Sequence, residues 1–242
     1  MTDRIDTSDD FGLTKLSGRI QGYKRRREAA SFVFSDADQN KMGAIAVAAS
    51  LVGLGGAAVA TAANATNVEE EADFVEFSLD GMPVKGWVWR SPFNEGDEVE
   101  VAGEMHHDFV EVFGIARPAD RTVALYPHCS RGSARHMKNA FKWWLWLGCG
   151  IPILMYALVM FYVGGLEAVS DIYFIGGCAA LMAFTAAMFV SLARKWLPFV
   201  RLSEKVFRTL GWPDPGNVDL VRSSATRRKT DSDEFGTFYF RY

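Results

Sequence analysis

Three long stretches of the chain carry no charged residue: 42–68, 143–166 and 172–193. The second and third each supply the roughly 20 apolar residues a helix needs to cross hydrocarbon. The second opens on Trp143-Trp144-Leu145-Trp146 and closes on Phe161-Tyr162, so aromatic residues stand where both membrane interfaces would fall. Pro152 lies inside it and predicts a kink. The third ends at Arg194-Lys195-Trp196. The turn between them holds Glu167 and Asp171 and no Lys or Arg, and the pair predicts a transmembrane helical hairpin.

The first stretch differs in kind. It is rich in Ala and Gly (Ala44, Ala46, Ala48, Ala49, Gly53, Gly55, Gly56), which contribute little transfer free energy. Either its small residues pack a spanning helix against a neighbour, or Gly53-Leu54-Gly55-Gly56 breaks it into a re-entrant hairpin, since Gly costs about 1 kcal/mol in a helix. Backbone exposed by such a break must be covered by protein.

A different period governs residues 73–127. Phe74, Val75, Phe77 and Leu79 lead to the turn Asp80-Gly81. Val84, Trp87, Val88 and Trp89 follow and end at Ser91-Pro92. Residues 98–103 alternate strictly, 108–115 form a fourth run, and 122–126 a fifth after the turn Arg117-Pro118-Ala119-Asp120. Five short strands with regular turn signals predict a small barrel, of OB type or a plain meander. Past the hairpin, Pro198 interrupts the helix, 202–210 predicts a short amphipathic helix stopped by Gly211, 222–233 is polar and expected to be mobile, and 235–242 predicts a strand that adds to the β module. Ahead of everything, residues 1–35 form a polar, basic lead-in (Lys24, Arg25, Arg26, Arg27), and Ser35 or Asp36 is placed to cap a helix.

Composition sharpens this outline. Of 242 residues, 26 are Lys or Arg and 29 Asp or Glu, for a net charge of −3. That balance excludes a strongly basic nucleic-acid binder. The N-terminus is acidic and polar, unlike a secretory signal. Two of the three cysteines, Cys149 and Cys178, lie in apolar stretches and Cys129 lies apart, which excludes a disulfide framework. Basic residues set orientation. Arg131, Arg135, Lys138 and Lys142 precede the hairpin, and Arg194, Lys195, Arg201, Lys205 and Arg208 follow it. The positive-inside rule puts both flanks in the cytoplasm and the Glu167–Asp171 turn outside. If 42–68 spanned once, all flanks could not share one side. The preferred solution keeps the 69–142 loop cytoplasmic.

Catalytic signals are sparse. His106-His107 and His128-Cys129 lack metal-ligand spacing and read as turn residues. Cys129 has no base positioned by sequence. No phosphate-binding or nucleophile-elbow motif occurs. Glu69-Glu70-Glu71 reads as a solvated linker. Lys24–Arg27 and Arg227-Arg228-Lys229 read as topology determinants near lipid headgroups. Trp87, Trp89 and Phe93 read as core and rim of the β module in preference to a ligand platform. The expected catalytic, cofactor-binding and metal residues are therefore none.

Four stretches together resemble a known group: Ala30-Ser31-Phe32-Val33-Phe34 with Asp38-Gln39 and Met42-Gly43; Trp87-Val88-Trp89-Arg90-Ser91-Pro92-Phe93; Gly96-Asp97-Glu98-Val99-Glu100-Val101; and Ala124-Leu125-Tyr126-Pro127-His128-Cys129-Ser130-Arg131-Gly132. They resemble small bacterial membrane proteins labelled type VI secretion system effectors, over roughly residues 28–145 plus the hairpin in architecture. The resemblance implies a role in contact-dependent competition between bacteria. It does not distinguish effector from immunity protein or accessory, and it brings no catalytic residues.

The expectation is thus a membrane α-helical protein, with a two-helix transmembrane hairpin and one Ala/Gly-rich apolar segment, carrying a small all-β, barrel-like module. Its parts are a basic lead-in (1–41), a membrane segment (42–68), the β module (69–142), the hairpin (143–193) and a polar C-terminal tail (194–242). The expected setting is the bacterial inner membrane, multi-pass. The expected partners are membrane lipid and another protein of the secretion locus, with no nucleic acid. Binding is expected in preference to catalysis, and a delivered membrane-inserting, pore-forming toxin is the alternative.

Overall fold

The computed structural model describes residues 12–30, 32, 70–164 and 172–242. The 42–68 segment, the helix start at Ser35 or Asp36, and the turn with Glu167 and Asp171 lie outside the described residues. Two units are defined, one of 1–132 with 198–242 and one of 133–197.

The first unit is a closed five-stranded barrel with added strands. Strands β1 (Thr14–Ala30), β2 (Glu70–Leu79), β3 (Met82–Val88), β4 (Glu98–Met105) and β5 (Val110–Arg117) are followed by β6 (Thr122–Leu125) and β7 (Tyr239–Arg241). The sheet order is β3-β2-β1-β4-β5-β6-β7, and a parallel β3–β5 pairing closes the ring. Closure needs β3 and β5 to come close. At Gly86 a Cβ would lie 2.6 Å from the Val112 carbonyl oxygen, so only a residue without a side chain fits.

All five strands expected in 73–127 are present. The basic lead-in is corrected: β1 runs through it and pairs with both β2 and β4. Its sequence hid this because few of its positions are apolar. Ile20 is the fully buried one, while Lys15–Glu100 (2.9 Å), Arg19–Glu98 (3.0 Å) and Arg26–Glu76 (3.6 Å) join it to its neighbours through charge. Opposite-charge cross-strand pairs stabilise a sheet without any hydrophobic alternation.

Two cores serve the two faces. Ile20, Val75, Val84, Val88, Val101, Val112 and Ile115 fill the barrel interior. Outside it, Phe113, Leu125 and Tyr126 pack with Phe199, Leu202, Val206, Phe207, Leu220 and Phe240. This second core corrects the polar tail, for residues 198–242 belong to the barrel unit. The covering helix, α4 (Leu197–Thr209), follows three helices of the second unit. It buries Phe199, Leu202, Ser203, Val206 and Phe207, an i, i+3, i+4, i+7, i+8 stripe.

The end of α4 shows why Gly211 stops it. Gly211 has φ +78°, its N–H donates to Arg208 O at 2.9 Å, and the Trp212 N–H reaches Phe207 O at 3.0 Å. This is a Schellman closure, with the expected apolar contact across it: Trp212 stacks on Phe207 at 5.0 Å and on Tyr242 at 4.3 Å. Of the polar stretch 222–233, Arg222 and Ser223 end helix α5 (Leu220–Ser223), and the rest forms turns with ion pairs at Arg227–Asp233 (3.3 Å) and Arg241–Asp231 (3.0 Å). The strand expected at the C-terminus is β7, paired with β6.

The second unit is helical. Helix α1 (Ser133–Trp143) continues through a π-helical stretch (Trp144–Cys149) into α2 (Gly150–Val159) and a second π stretch (Met160–Gly164), and α3 (Ile172–Lys195) follows. The helical unit thus begins at Ser133, ten positions before the uncharged run, because amphipathic α1 carries the basic residues into it. Two helices, Ser133–Tyr162 and Ile175–Lys195, are long and apolar enough to cross a membrane. Their apolar side chains face outward: Trp146 is 70 % exposed, Phe161 82 % and Phe184 63 %. Pro152 lacks the N–H that would bond the carbonyl four residues earlier. That carbonyl, on Gly148, instead faces the Thr185 hydroxyl of α3 at 3.1 Å, whose single hydrogen it shares with Met182 O at 2.9 Å.

Candidate functional site

Among the described residues of the barrel unit, ionisable groups gather around Asp73, around Glu70 with His128, at the β4–β5 hairpin, and around Arg117 with Asp97 (2.6 Å) and Asp120 (2.8 Å). The first surrounds Asp73 on β2, fully buried. Its Oδ1 accepts from Arg27 Nε at 2.9 Å and its Oδ2 from the Ser91 N–H at 2.9 Å. Arg25 Nη1 lies 4.0 Å from Oδ2 and donates to Ser91 O at 2.8 Å. Tyr23 shares a short hydrogen bond with Ser91. Beside them Arg90, with its side chain 9 % exposed, donates to Trp89 O and to Glu234 and lies over the Phe238 ring at 4.9 Å. The Asp73 carboxylate raises the Arg27 guanidinium above its usual value. This network around one buried carboxylate ties β1, β2 and the segment after β3 together.

The second place corrects the solvated-linker expectation for the acidic run. Glu70 and Glu71 belong to β2. Glu70 Oε2 is 3.0 Å from His128 Nε2, and Glu71 is 3.6 Å from Arg90. His128 adopts φ +65° and packs its ring 5.0 Å from Trp89 and 5.1 Å from Phe199. Burial lowers its pKa, against the opposing pull of Glu70. Next to it Cys129 is sealed at 1 % exposure and donates its Sγ hydrogen to Phe199 O at 3.4 Å. Burial pushes that thiol up to about 12, the opposite of what a nucleophile needs. His128-Cys129 and His106-His107 are not brought into one cluster. Trp87 and Phe93 are buried as expected of core residues, and Trp89 packs against Phe238 at 5.2 Å.

The third place went unseen in the sequence. At the β4–β5 hairpin Glu104 stands directly opposite Glu111, and Met105 opposite Val110. The His106 N–H donates to Phe109 O at 2.9 Å and closes the turn. His106 Nε2 then lies 3.3 Å from Glu111 Oε2. Glu104, His106 and Glu111 can each present one ligand atom, and these lie within 4.8 Å of one another. Phe109 orders the surroundings: the His106 ring stacks on it at 4.7 Å, and Lys85 Nζ sits over its face at 3.7 Å. The Glu111 side chain is only 3 % exposed. Burial pushes its carboxyl up to about 7, against the favourable charge of His106. Burial also raises Glu104, opposed by His106 and Lys205. The available signal was Glu-x-His, a short turn and a further Glu, with the hairpin register setting the two carboxylates face to face.

No family model, curated protein or solved structure matches this chain.

Proposed function

We propose that this chain is an integral protein of the bacterial inner membrane belonging to a type VI secretion locus, whose OB-type barrel binds another protein at the cytoplasmic membrane surface. The observation that carries this is the continuity of the barrel unit across the apolar helices. Residues before Ser133 and after Leu197 build one fold, with β6 paired to β7 and Phe113 and Leu125 in one core with Phe207 and Phe240. Both ends of the helical pair must therefore emerge on one side, the topology of a membrane hairpin that holds a folded module at the surface. The basic residues on both flanks assign that side to the cytoplasm.

The OB assignment is supported by the five-strand circuit β1-β2-β3-β5-β4 with its parallel β3–β5 closure, a Greek-key barrel built for recognition by surface loops and strands. The link to type VI secretion rests on the motif resemblance. The test is expression of the full chain in a bacterium lacking the locus, followed with a potential-sensitive dye, and co-purification from a bacterium carrying it. Retained potential and recovery of the product of an adjacent gene are expected. Collapse of the membrane potential would favour the pore-forming toxin instead.

A further inference from the structure

Glu104 and Glu111 face each other across an antiparallel pair, where like charges oppose folding. The usual remedies are incomplete here. Glu111 is buried and has His106 as its hydrogen-bond partner. Glu104 Oε2 is a buried oxygen with no hydrogen-bond partner. Lys85 is engaged with the Phe109 ring. A buried carboxyl facing a half-buried one, with an orphaned oxygen and an imidazole whose ligand atom lies within 4.8 Å of both, is an arrangement one cation resolves at once, since it supplies the missing partner and neutralises the repulsion.

We propose that Glu104, His106 and Glu111 bind a divalent transition-metal ion of the zinc, manganese or iron class. One imidazole nitrogen with two carboxylate oxygens suits these borderline ions, whereas calcium and magnesium take all-oxygen sets. The spacing agrees. Ligand atoms about 2.0–2.1 Å from a tetrahedral zinc stand about 3.3 Å apart, and His106 Nε2 and Glu111 Oε2 are 3.3 Å apart. The Glu104 ligand oxygen lies within 4.8 Å of the other two, and Glu104 projects from the same face of the hairpin as Glu111 because directly opposed residues share a face. The Phe109 stack holds the His106 ring in place. Three protein ligands leave a fourth position for water or for a group offered by a bound partner. The site is independent of the secretion assignment, because it rests on the hairpin alone.

The test uses the full chain in detergent, stripped with a chelator and titrated with Zn²⁺, Co²⁺ and Mg²⁺. One equivalent of Zn²⁺ is expected to bind saturably and raise the melting temperature. Co²⁺ is expected to give the visible bands of a low-coordinate nitrogen and oxygen site without a thiolate charge-transfer band. Glu111→Gln and His106→Asn should each weaken Zn²⁺ by at least about 10-fold. Glu104→Gln, at a ligand less buried than Glu111, provides the same comparison if either of the others fails to fold. No saturable binding, binding unchanged in the variants, a thiolate band, or a Mg²⁺ response equal to that of Zn²⁺ would each overturn the proposal.

Discussion

Ala30 and Glu70 stand opposite each other in the antiparallel β1–β2 pair. The two strands on either side of residues 31–69 are thus neighbours in one barrel unit, and that unit also holds Glu98 and Lys229. With the native cysteines replaced, Glu98→Cys and Lys229→Cys should label with an impermeant maleimide from the cytoplasmic face, and Ala168→Cys from the opposite face. Labelling of positions 98 and 229 from different sides would contradict the shared barrel.

The Thr185–Gly148 hydrogen bond stands in for the one Pro152 cannot make. In an apolar surrounding such an interhelical bond contributes about 1 kcal/mol. Thr185→Val keeps the shape and removes the donor, so it should lower the unfolding free energy of the helical unit by about that amount. Pro152→Ala should rescue most of the loss by restoring an N–H for Gly148. Equal stability of Thr185→Val and the parent would show that the bond carries nothing.

Asp73→Ala leaves the Ser91 N–H and the Arg27 guanidinium without their common acceptor and removes the carboxylate 4.0 Å from Arg25. Breaking a buried pair on one side costs about 3–5 kcal/mol, and the partial exposure of Arg25 and Arg27 places the expected loss at the lower end. Chemical denaturation of the solubilised protein measures it, and Asp73→Asn should cost less because it retains one acceptor.

Burial holds the His128 pKa below its ordinary value, although Glu70 works the other way. A group with a depressed native pKa stabilises the fold above its unfolded value, about 6.5, and that contribution is lost as pH falls through the native value. Glu111, whose carboxyl burial pushes up to about 7, works in the opposite sense over the same range and is common to parent and variant. The His128 contribution is therefore read as a difference: between about pH 7 and about pH 5 the parent should lose melting temperature relative to His128→Asn, which tolerates the positive φ. Parallel curves for the two proteins would refute the assignment.

Phe207 is fully buried between α4 and the barrel. Phe207→Ala should cost about 3–5 kcal/mol, read by denaturation. A polar appendage would lose almost nothing at this position, so the experiment separates the two accounts of residues 198–242.

The barrel strands that obey a period of two with apolar side chains, β2 to β6, were legible, and so were the two apolar helices and the Gly211 stop. β1 was not, because its partners are chosen by charge, and charges such as Arg26 and Glu76 announce a pairing only once both strands are placed. The tail was half legible: its amphipathic stripe was visible, but the surface awaiting it on Phe113 and Leu125 is built by strands about 80 residues away in the chain. The Glu104–His106–Glu111 group was missed for a related reason, since carboxylates face each other only in the register that the hairpin selects.

The interruption of the barrel unit by the apolar helices also fixes an order of events during synthesis. Chains fold from the N-terminal end as they emerge, so the five-strand ring can close while its outer wall, with Phe113, Leu125 and Tyr126, is still bare. The segments that cover that wall, α4 and β7, leave the ribosome only after the helices have done so. Synthesis of those helices thus falls between two stages of barrel maturation, and a nascent chain stalled before residue 198 would display an unfinished apolar wall.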